Sequence, residues 1–463
     1  MKLNLIKKSA LMLTALLTVI LASCGQQLPD DPIDAVPEGV RRVAVLNLDK
    51  IAAANGAQQL VTESGITSEA QEALSLFIPQ PLLTHLSSIL GNGVNTSCAV
   101  LFKDAEGRNG MILKITDHDT LTLKLNTLTS GKTEINGFAT YLINDSYIGV
   151  SDNLCVVAGD KYTIKSIGSH NDHAVITAMV GVSQFLHEGD NPVKLAIAAE
   201  DIFGEQMKDQ WLCSYIRFSD NAITANVTSI YPDGKSGKIG QQLAGEIDPD
   251  VVQFIPSGSN LIVATGLQPD HNKLFGIEDF AKGILPTDRV LSPNGTTLWY
   301  ARPAGTINHG NIFSPRAWNI AGIMKMDQTE ADSTISALKS ANTDRFSFDP
   351  ESGSYFTQTD PQISFGYNTG YFTQAINGIA TYGNSNPYTQ DFNAARLVAI
   401  LDIPTDSQLV DALDLPCGVT VTLKGNTDNI HLRISFHGNT QPVLATLGEI
   451  PMLAAAITYI TGL

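Results

Sequence analysis

Histidine and aspartate residues stand close together in the segment "SHNDHA". It contains His170, Asp172 and His173, and these side-chain types can bind zinc. Zinc sites need three or four ligands in a tight shell, so a further ligand would have to come from a distant part of the chain. A polar loop is the simpler interpretation, and we predict no metal site here.

Two other histidine-containing segments are weaker candidates. In "TDHDT", Asp117, His118 and Asp119 are typical of a turn followed by a helix, with an aspartate as N-cap. His431 and His437 lie on one face of a predicted strand, and six residues at about 3.3 Å each separate them by about 20 Å. These two histidines therefore cannot bind the same ion.

The motifs of common enzyme classes do not occur in the sequence. There is no G-x-S-x-G, H-E-x-x-H or Walker segment and no strand-linked G-x-G-x-x-G. A pair of carboxylates has no fixed spacing in sequence, so hydrolase chemistry stays open as an alternative. We predict no catalytic residues and no cofactor, and favour a protein that is not an enzyme.

Cys24 follows a short apolar segment near the N-terminus. Three lysines and an uncharged stretch over 9–23 form a secretory signal that is shorter than the roughly 20 residues of a membrane-spanning helix. Leu21, Ala22, Ser23 and Cys24 resemble the lipobox of bacterial lipoproteins, which implies diacylglycerol on the Cys24 thiol. The alternative is an ordinary secreted protein. We expect a cell-envelope protein held by lipid at the outer membrane, on its periplasmic or surface side.

Composition limits the possible partners. The formal net charge is −17 and 43% of the residues are hydrophobic, so the chain can bury a core but lacks the basic surplus of nucleic-acid binding. Besides Cys24 there are Cys98, Cys155, Cys213 and Cys417. Disulfides remain open in an oxidising envelope, but wide spacing and apolar neighbours favour small buried side chains.

Segments of the first half of the chain return in the same order in the second half. "VPEGVRRVAVLNL" (36–48) resembles "IPSGSNLIVATGL" (255–267), "INGFATY" (135–141) resembles "INGIATY" (376–382), and 193–213 resembles 395–417. Several ordered matches indicate a duplication. A repeat of about 200 residues predicts two globular lobes, each with its own core.

Each lobe is predicted to be α+β, a mainly antiparallel sheet backed by helices. "IHLRISFH" (430–437) and "ITANVTSI" (223–230) alternate polar and apolar residues, which is typical of such strands. Apolar spacings of three and four predict helices in 53–66, 80–91, 200–212 and 406–415. The predicted boundaries are a signal at 1–23, a tether at 24–35, and lobes at 36–250 and 251–463.

The second lobe carries an aromatic-rich insertion at about 341–372. We select Tyr355, Tyr367, Tyr371 and Phe372 as candidate binding residues, because aromatic rings stack on sugar faces or anchor protein interfaces. The alternative is a β-hairpin whose phenylalanines belong to the core.

The lipobox, the "VPEGVRRVAVLNL" start and the doubled order of strands and helices resemble a family of uncharacterised lipoproteins of the Bacteroidetes. The resemblance implies an envelope location and doubled α+β lobes, and it implies no catalytic residues. The favoured prediction is a lipid-anchored, non-enzymatic binding or structural protein, attached to the membrane through Cys24 and contacting a protein or glycan. The alternative is a surface protein that binds or processes glycans.

Overall fold

The computed structural model describes most of the chain between Leu28 and Ile450. The described residues are 28–37, 39–62, 65–129, 131–143, 145–168, 175–243, 245–255, 258–267, 295–303, 305–308, 310–311, 318–325, 329, 355–359, 362–367, 387–402 and 417–450. Side chains are described in these segments except for 168, 175, 242, 253–254, 318–325, 355–359 and 362–367.

Eighteen strands form one sheet in which every pairing is antiparallel. With the separate ribbon β2–β3, the strands are β1 (Val40–Leu46), β2 (Val61–Thr62), β3 (Gly65–Ile66), β4 (Val94–Asp104), β5 (Asn109–Ile115), β6 (Lys132–Ile135), β7 (Phe138–Ile143), β8 (Ser146–Val150), β9 (Leu154–Ala158), β10 (Val193–Ala198), β11 (Trp211–Ser219), β12 (Ala222–Ile230), β13 (Leu261–Thr265), β14 (Thr297–Pro303), β15 (Trp318–Lys325), β16 (Tyr355–Thr359), β17 (Gln362–Tyr367), β18 (Ala395–Leu401), β19 (Gly418–Gly425) and β20 (Asn429–His437).

The strands follow one continuous order across the sheet. From one end the order is β6-β7-β8-β9-β5-β4-β1-β10-β11-β12-β20-β19-β18-β13-β14-β15-β17-β16. The last strand of the first half, β12, pairs with the last strand of the second half, β20, from Ala222 opposite Ser435 to Thr228 opposite Asn429. The two halves of the chain therefore join through their final strands.

Eleven α-helices occur among the described residues. They are α1 (Leu48–Ala54), α2 (Ser68–Ser75), α3 (Gln80–Ile89), α4 (His118–Leu128), α5 (Lys161–Gly168), α6 (Val175–Ala178), α7 (Val180–His187), α8 (Glu200–Phe203), α9 (Ile239–Gln242), α10 (Thr389–Phe392) and α11 (Val443–Gly448). Two 3₁₀ helices cover Glu205–Met207 and Pro249–Phe254. The α+β class and the antiparallel sheet predicted from the sequence are confirmed.

Local sequence accounts for several of these helices. In α3, Leu82, Leu86 and Ile89 recur at spacings of four and three and are all buried, while proline occupies the first turn, where its missing N–H costs nothing. Helix α4 begins as predicted, because the Asp117 side chain accepts a hydrogen bond from the Thr120 N–H and satisfies a free donor of the first turn.

Helices cover both faces of the sheet. On one face, α1 to α4 and α11 pack over the first half, and Ile239 and Leu243 of the α9 region pack over the second. On the opposite face, α5 to α7 and the N-terminal segment lie over the first half, and α10 with the second 3₁₀ helix lies over the second half. The helices thus back the sheet as predicted, but on two sides.

The division into two lobes with separate cores does not appear in the structure. Leu444 and Leu447 of α11, from the second half, are fully buried in a cluster with Leu46 and Leu86 of the first half. Conversely, Ile239, the first residue of α9, belongs to a core cluster with Leu423 and Trp299 of the second half. Each half thus sends a helix into the core of the other, because a continuous sheet leaves no gap between them.

Two local predictions differ from the structure. Residues 53–66, predicted as helix, contain the end of α1 and the ribbon β2–β3, and 200–212 contain the short α8, a 3₁₀ turn and the start of β11. Both segments have glycine, Gly56 and Gly204, at positive φ, a conformation that ends a helix. The predicted helix at 406–415 lies outside the described residues.

The tether predicted at 24–35 is too long, because residues 28–35 belong to the folded part of the protein. Ile33, Ala35 and Val36 are buried in the cluster formed with α5 to α7, and the Asp31 side chain accepts a hydrogen bond from the Ile33 N–H at 2.8 Å. The polar composition of 25–35 hid two buried apolar side chains, Ile33 and Ala35. The folded part therefore includes 28–35.

Candidate functional site

A polar face at the centre of the sheet is the most distinctive surface among the described residues. It lies on β11, β12, β20 and β19, where the two halves meet. We call it the cationic face and define it by the side chains on this side of the sheet, of which Thr420 and Thr422 are buried. They are Tyr215, Arg217, Thr224, Asn226, Thr420, Thr422, Lys424, His431, Arg433, Ser435 and His437.

Strict alternation places these side chains together. Along β20, Ile430, Ile434 and Phe436 are buried in the core, so the residues between them point to the opposite face. The same parity holds on β19, where Val419 and Leu423 are buried on the core side. Burial of one face thus fixes which residues line the other.

The strand register sets the spacing of the charges. Asn226 lies opposite His431, and His431 opposite Lys424. In the next row, Arg217 lies opposite Thr224, and Thr224 opposite Arg433. With about 4.8 Å between neighbouring strands, the backbones carrying Arg217 and Arg433 are about 10 Å apart. The face spans about 14 Å from β11 to β19.

Helices border the cationic face on two sides. On one side Phe185 of α7 stacks on Tyr215 with ring centroids 4.4 Å apart. On the other side Phe392 of α10 is buried against β18, and the backbone of Gln390 accepts a hydrogen bond from Lys424 Nζ at 2.6 Å. The strip that stays open between α7 and α10 therefore lies mainly on β12 and β20, because Thr420 and Thr422 of β19 are buried.

The three permanent cations of this face have neutral partners. Arg217 donates to Asn191 Oδ1 at 2.7 Å, and Arg433 donates to Ser435 Oγ at 2.8 Å. Within the described part of the chain, no carboxylate lies within 4.0 Å of Arg217, Lys424 or Arg433. Because acidic residues outnumber basic ones 46 to 29, such a cluster is unusual for this protein.

Other basic residues show the contrast. Arg41 pairs with Glu200 at 3.0 Å, Arg108 with Asp104 at 2.6 Å. Hydrogen bonds raise the pKa of both guanidinium groups, chiefly the bond from Arg41 to Asp201 and the bond from Arg108 to Asp104. The charges of Arg41 and Arg108 are thus neutralised by carboxylates of the protein itself, whereas the three cations of the cationic face stay available to a ligand.

Asp391 of α10 interacts electrostatically with the cations of this face, and Glu188 interacts in the same way with Tyr215 at its border. Burial raises its pKa, while the charges of Lys424, His437 and Arg433 act in the opposite direction. Burial is the largest of these effects, and it disfavours the ionised carboxylate. The pKa of Asp391 is thus set by two opposing effects, its burial and the neighbouring positive charges.

The two histidines of the face have different surroundings. Burial lowers the pKa of His431, and the positive charges of Arg433 and Lys424 lower it further. Its Nδ1 lies 2.6 Å from Asn226 Oδ1, whereas His437 Nε2 lies 2.7 Å from Thr420 Oγ1. The two rings therefore have separate hydrogen-bond partners.

This arrangement is suited to binding anions. Guanidinium and ammonium groups form charge-assisted hydrogen bonds with carboxylate or phosphate oxygens, and Thr224, Asn226 and Ser435 add neutral donors and acceptors. Within the described segments, no group of three or more His, Cys, Asp or Glu residues could hold a metal ion. The chemistry visible at the face is electrostatic and hydrogen-bonding.

The residues selected from the sequence lie elsewhere. Tyr355 is the first residue of β16 and Tyr367 the last of β17, so the aromatic insertion contains the β-hairpin at one end of the sheet. Tyr371 and Phe372 lie outside the described residues, as do Cys24, His170, Asp172 and His173. The predicted aromatic site and lipid anchor remain predictions.

The four cysteines that are described are unpaired. Cys155, Cys213 and Cys417 are buried and Cys98 is partly buried, which confirms the interpretation as small core side chains. Burial raises the pKa of Cys155 and Cys213 to about 12. These thiols therefore stay protonated and poorly nucleophilic at neutral pH.

Sequence reasoning missed the cationic face as a site. The alternation of 430–437 did predict that His431, Arg433, Ser435 and His437 share a side. What it could not show is that Arg217 and Lys424 lie on the same surface, because β11 and β20 are about 200 residues apart in the chain. The signal available in the sequence was the number of Arg and Lys residues at positions predicted to point away from the core.

No protein-family model, curated protein or solved structure matches this chain. Within the described residues, none of the helices combines the length and the apolar character needed to cross a bilayer.

Proposed function

We propose that this protein is a non-enzymatic, lipid-anchored protein of the cell envelope that binds an anionic ligand on the cationic face. The observation that supports it is the cluster of Arg217, Lys424 and Arg433, three cations without an ion-pair partner among the described residues. Keeping like charges together costs electrostatic energy, and an anionic ligand would repay it.

The overall charge narrows the class of ligand. At physiological ionic strength charges are screened over about 8 Å, so a ligand on the face senses mainly the local cations. A densely charged polyanion such as nucleic acid would also approach the surrounding acidic surface of a protein with net charge −17. A ligand whose negative charges are spaced more widely than the one charge per about 1.7 Å of duplex DNA fits better.

A carboxylate-bearing glycan is the ligand class that we propose. Thr224, Asn226 and Ser435 lie between and beside the cations, and hydroxyl and amide groups of this kind satisfy sugar hydroxyls. Tyr215 adds a partly exposed aromatic ring at the border, and such rings offer apolar contact with a polar tip. This combines the binding and glycan alternatives raised by the sequence.

Attachment to the membrane belongs to the same proposal. The support is the charged start, the short apolar run and the Leu21–Cys24 box of the sequence. Two or more acyl chains on Cys24 would hold the domain at a membrane stably, since one chain alone binds only marginally. Such an anchor would hold the protein in the cell envelope.

We also propose that the two halves are related by duplication, although they share one sheet. The order β12-β11-β10-β1-β4-β5 on one side of the central pair matches β20-β19-β18-β13-β14-β15 on the other. Lys194 of β10 and Arg396 of β18 occupy matching positions in the sequence alignment, and both are buried and donate to backbone carbonyls.

The decisive experiment measures binding of the full-length protein to polygalacturonate, with dextran as the neutral polymer. We expect binding to polygalacturonate alone. Replacing both Arg433→Gln and Lys424→Gln should weaken it at least roughly tenfold, because two charge-assisted hydrogen bonds contribute about 1.5–3 kcal/mol each.

The matched control removes the same charge elsewhere. Lys208→Gln with Lys238→Gln neutralises two exposed lysines outside the face and should change the affinity less than twofold. Thermal unfolding of each variant checks that the fold is kept. An equal loss of affinity in both double variants would contradict a site on the cationic face. So would unchanged binding by the variant with Arg433→Gln and Lys424→Gln.

A further inference from the structure

We infer that one particular surface of the protein, around the β6–β7 turn and the outer side of α5, rests on the membrane. This inference depends on the proposed lipid at Cys24, and it goes further by stating which side of the folded body faces the bilayer. Its partner is a lipid surface, and the argument starts from the length of chain between the lipid and the fold.

The chain between Cys24 and the folded body is short. Only four residue steps separate Cys24 from Leu28, the first described residue, and a fully extended chain covers at most about 3.6 Å per residue. The lipid attachment point therefore lies within about 14 Å of Leu28, whatever conformation the intervening residues adopt. This is less than half the thickness of a bilayer core, which is about 30 Å.

Leu28 itself has a fixed place on the body. Its side chain packs against the cluster under α5 to α7, and its Cδ1 lies 3.9 Å from the position that a Cβ on Gly137 would take. The Asn153 side chain donates to Asp30 Oδ1 at 2.5 Å, and Ile33 is buried. The chain thus leaves the domain beside the β6–β7 turn.

The neighbouring surface has features of a membrane-contacting face. Asn136 in the β6–β7 turn donates to the backbone oxygen of Lys165 at 2.9 Å, which joins the turn to α5. Ile164 and Ile167 of α5 are fully buried, so the helix turns its other side outward. That side carries Lys161, Tyr162 and Lys165.

Tyr162 is the main contact residue of this surface. It is 59% exposed, and Lys161 Nζ lies 5.5 Å from its ring centroid. Tyrosine suits the region between hydrocarbon and water because its ring is apolar and its hydroxyl is polar. The lysine stems can extend toward headgroup phosphates, so both residue types match a lipid surface containing anionic headgroups.

Charge alone does not select this face. Asp160 and Glu134 lie nearby in sequence, and Asp160 caps α5 by accepting from the Thr163 N–H at 2.9 Å. The short link supplies the remaining preference, because it keeps the surface at a high effective concentration next to the bilayer. A weak contact is then sufficient to orient the protein.

The test places a nitroxide spin label at a single position of the lipidated full-length protein in vesicles of equal parts phosphatidylethanolamine and phosphatidylglycerol. Tyr162→Cys carries the label on the inferred face, and Leu123→Cys is the matched control on α4, where Leu123 is 69% exposed on the opposite side of the sheet. We expect the label at 162 to be protected from a water-soluble nickel reagent and accessible to oxygen, with the reverse at 123.

Two further variants separate the possible failures. Cys24→Ala should make both labels equally accessible to nickel, as should roughly ten added Gly/Ser residues between Gly25 and Leu28, which lengthen the link. Mass spectrometry of the unaltered chain establishes whether lipid is attached. An intact lipid with equal nickel access at 162 and 123 overturns the inferred orientation alone, whereas a Cys24 without lipid overturns both the orientation and the proposed anchor.

Discussion

At the scale of single residues, the cationic face shows how neighbouring charges tune a histidine. His431 lies between Arg433 on its own strand and Lys424 on β19, and its Nδ1 contacts the Asn226 side chain. Burial and the two cations lower its pKa, so the ring is neutral at pH 7. A bound carboxylate would counteract both cations.

The first prediction concerns this ring. Because an anion favours the protonated imidazole, binding of polygalacturonate should strengthen as the pH falls below about 6.5, the ordinary pKa of histidine. His431→Gln should bind similarly at pH 7.5 and lose this strengthening. Titration calorimetry at several pH values measures it. An unchanged pH profile in the variant would assign the effect to other groups, among them Asp391 and His437.

The lowered pKa also affects stability. The unfolded chain takes up a proton on His431 near its ordinary pKa, before the folded protein does, so folding stability falls on acidification through this range. His85 of α3 acts in the same direction, since burial lowers its pKa too. Both contributions are fully present above about pH 6.5.

The second prediction concerns the thiols. Burial raises the pKa of Cys98 and Cys417 to about 11 and that of the two more deeply buried cysteines to about 12. In the unlipidated Cys24→Ala protein at pH 7.5, an aromatic disulfide reagent should therefore react slowly with the thiols of the folded chain. Once guanidinium unfolds the chain, it should react quickly with all four thiols. Rapid reaction of a thiol in the folded protein would show that the site opens.

At the scale of elements, close backbone approach explains how α9 is fixed against the second half. The Gly240 N–H donates to the Thr427 oxygen at 3.0 Å in the β19–β20 turn, and a Cβ at Gly240 would lie 1.6 Å from the Asn426 oxygen. Only glycine fits this position. The contact ties the last helix of the first half to a hairpin of the second.

The third prediction follows from that contact. Gly240→Ala should lower the free energy of unfolding by about 1–3 kcal/mol, the usual effect of overpacking, as measured by chemical denaturation. Gly159→Ala is the matched control, because a Cβ there meets no atom within 4 Å. A loss of equal size in both variants would mean that the close approach at Gly240 has little energetic weight.

At the scale of the whole molecule, the exchange of helices makes the two halves interdependent. Leu444 and Leu447 of α11 belong to the same core cluster as Leu46 of β1 and Leu101 of β4, while Ile239 and Leu243 belong to a cluster with Trp299. A continuous sheet through β12 and β20 adds seven paired residues at the junction. The halves should therefore unfold together.

The fourth prediction tests this coupling. Leu444→Ala, in the second half, should destabilise the protein by about 2–5 kcal/mol, because it leaves a cavity in a closely packed core. Leu123→Ala, on an exposed helix side, is the control. The informative result is the response of the first half, followed by hydrogen exchange in β1 and β4. Unchanged protection there would show that the halves unfold separately.

Parts of the fold could be predicted element by element. Alternation in 430–437 correctly placed Ile430, Ile434 and Phe436 in the core, and apolar spacing correctly located α3, because both patterns are local. Segment 53–66 was wrong for the opposite reason. Its apolar residues match helical spacing, but the chain turns at Gly56 and pairs two short strands instead.

The sequence by itself determined the α+β class, the antiparallel character of the strands and the burial of the cysteines in the core. It also showed that familiar catalytic motifs do not occur. These features depend on residue type and short-range periodicity. The tertiary structure alone decided that the halves share one sheet and exchange helices. It also decided that Arg217, Lys424 and Arg433 lie on one surface. Strand pairing between β12 and β20 brings together residues about 200 positions apart, and hydrophobic patterning is the same whether a strand ends a lobe or joins two halves.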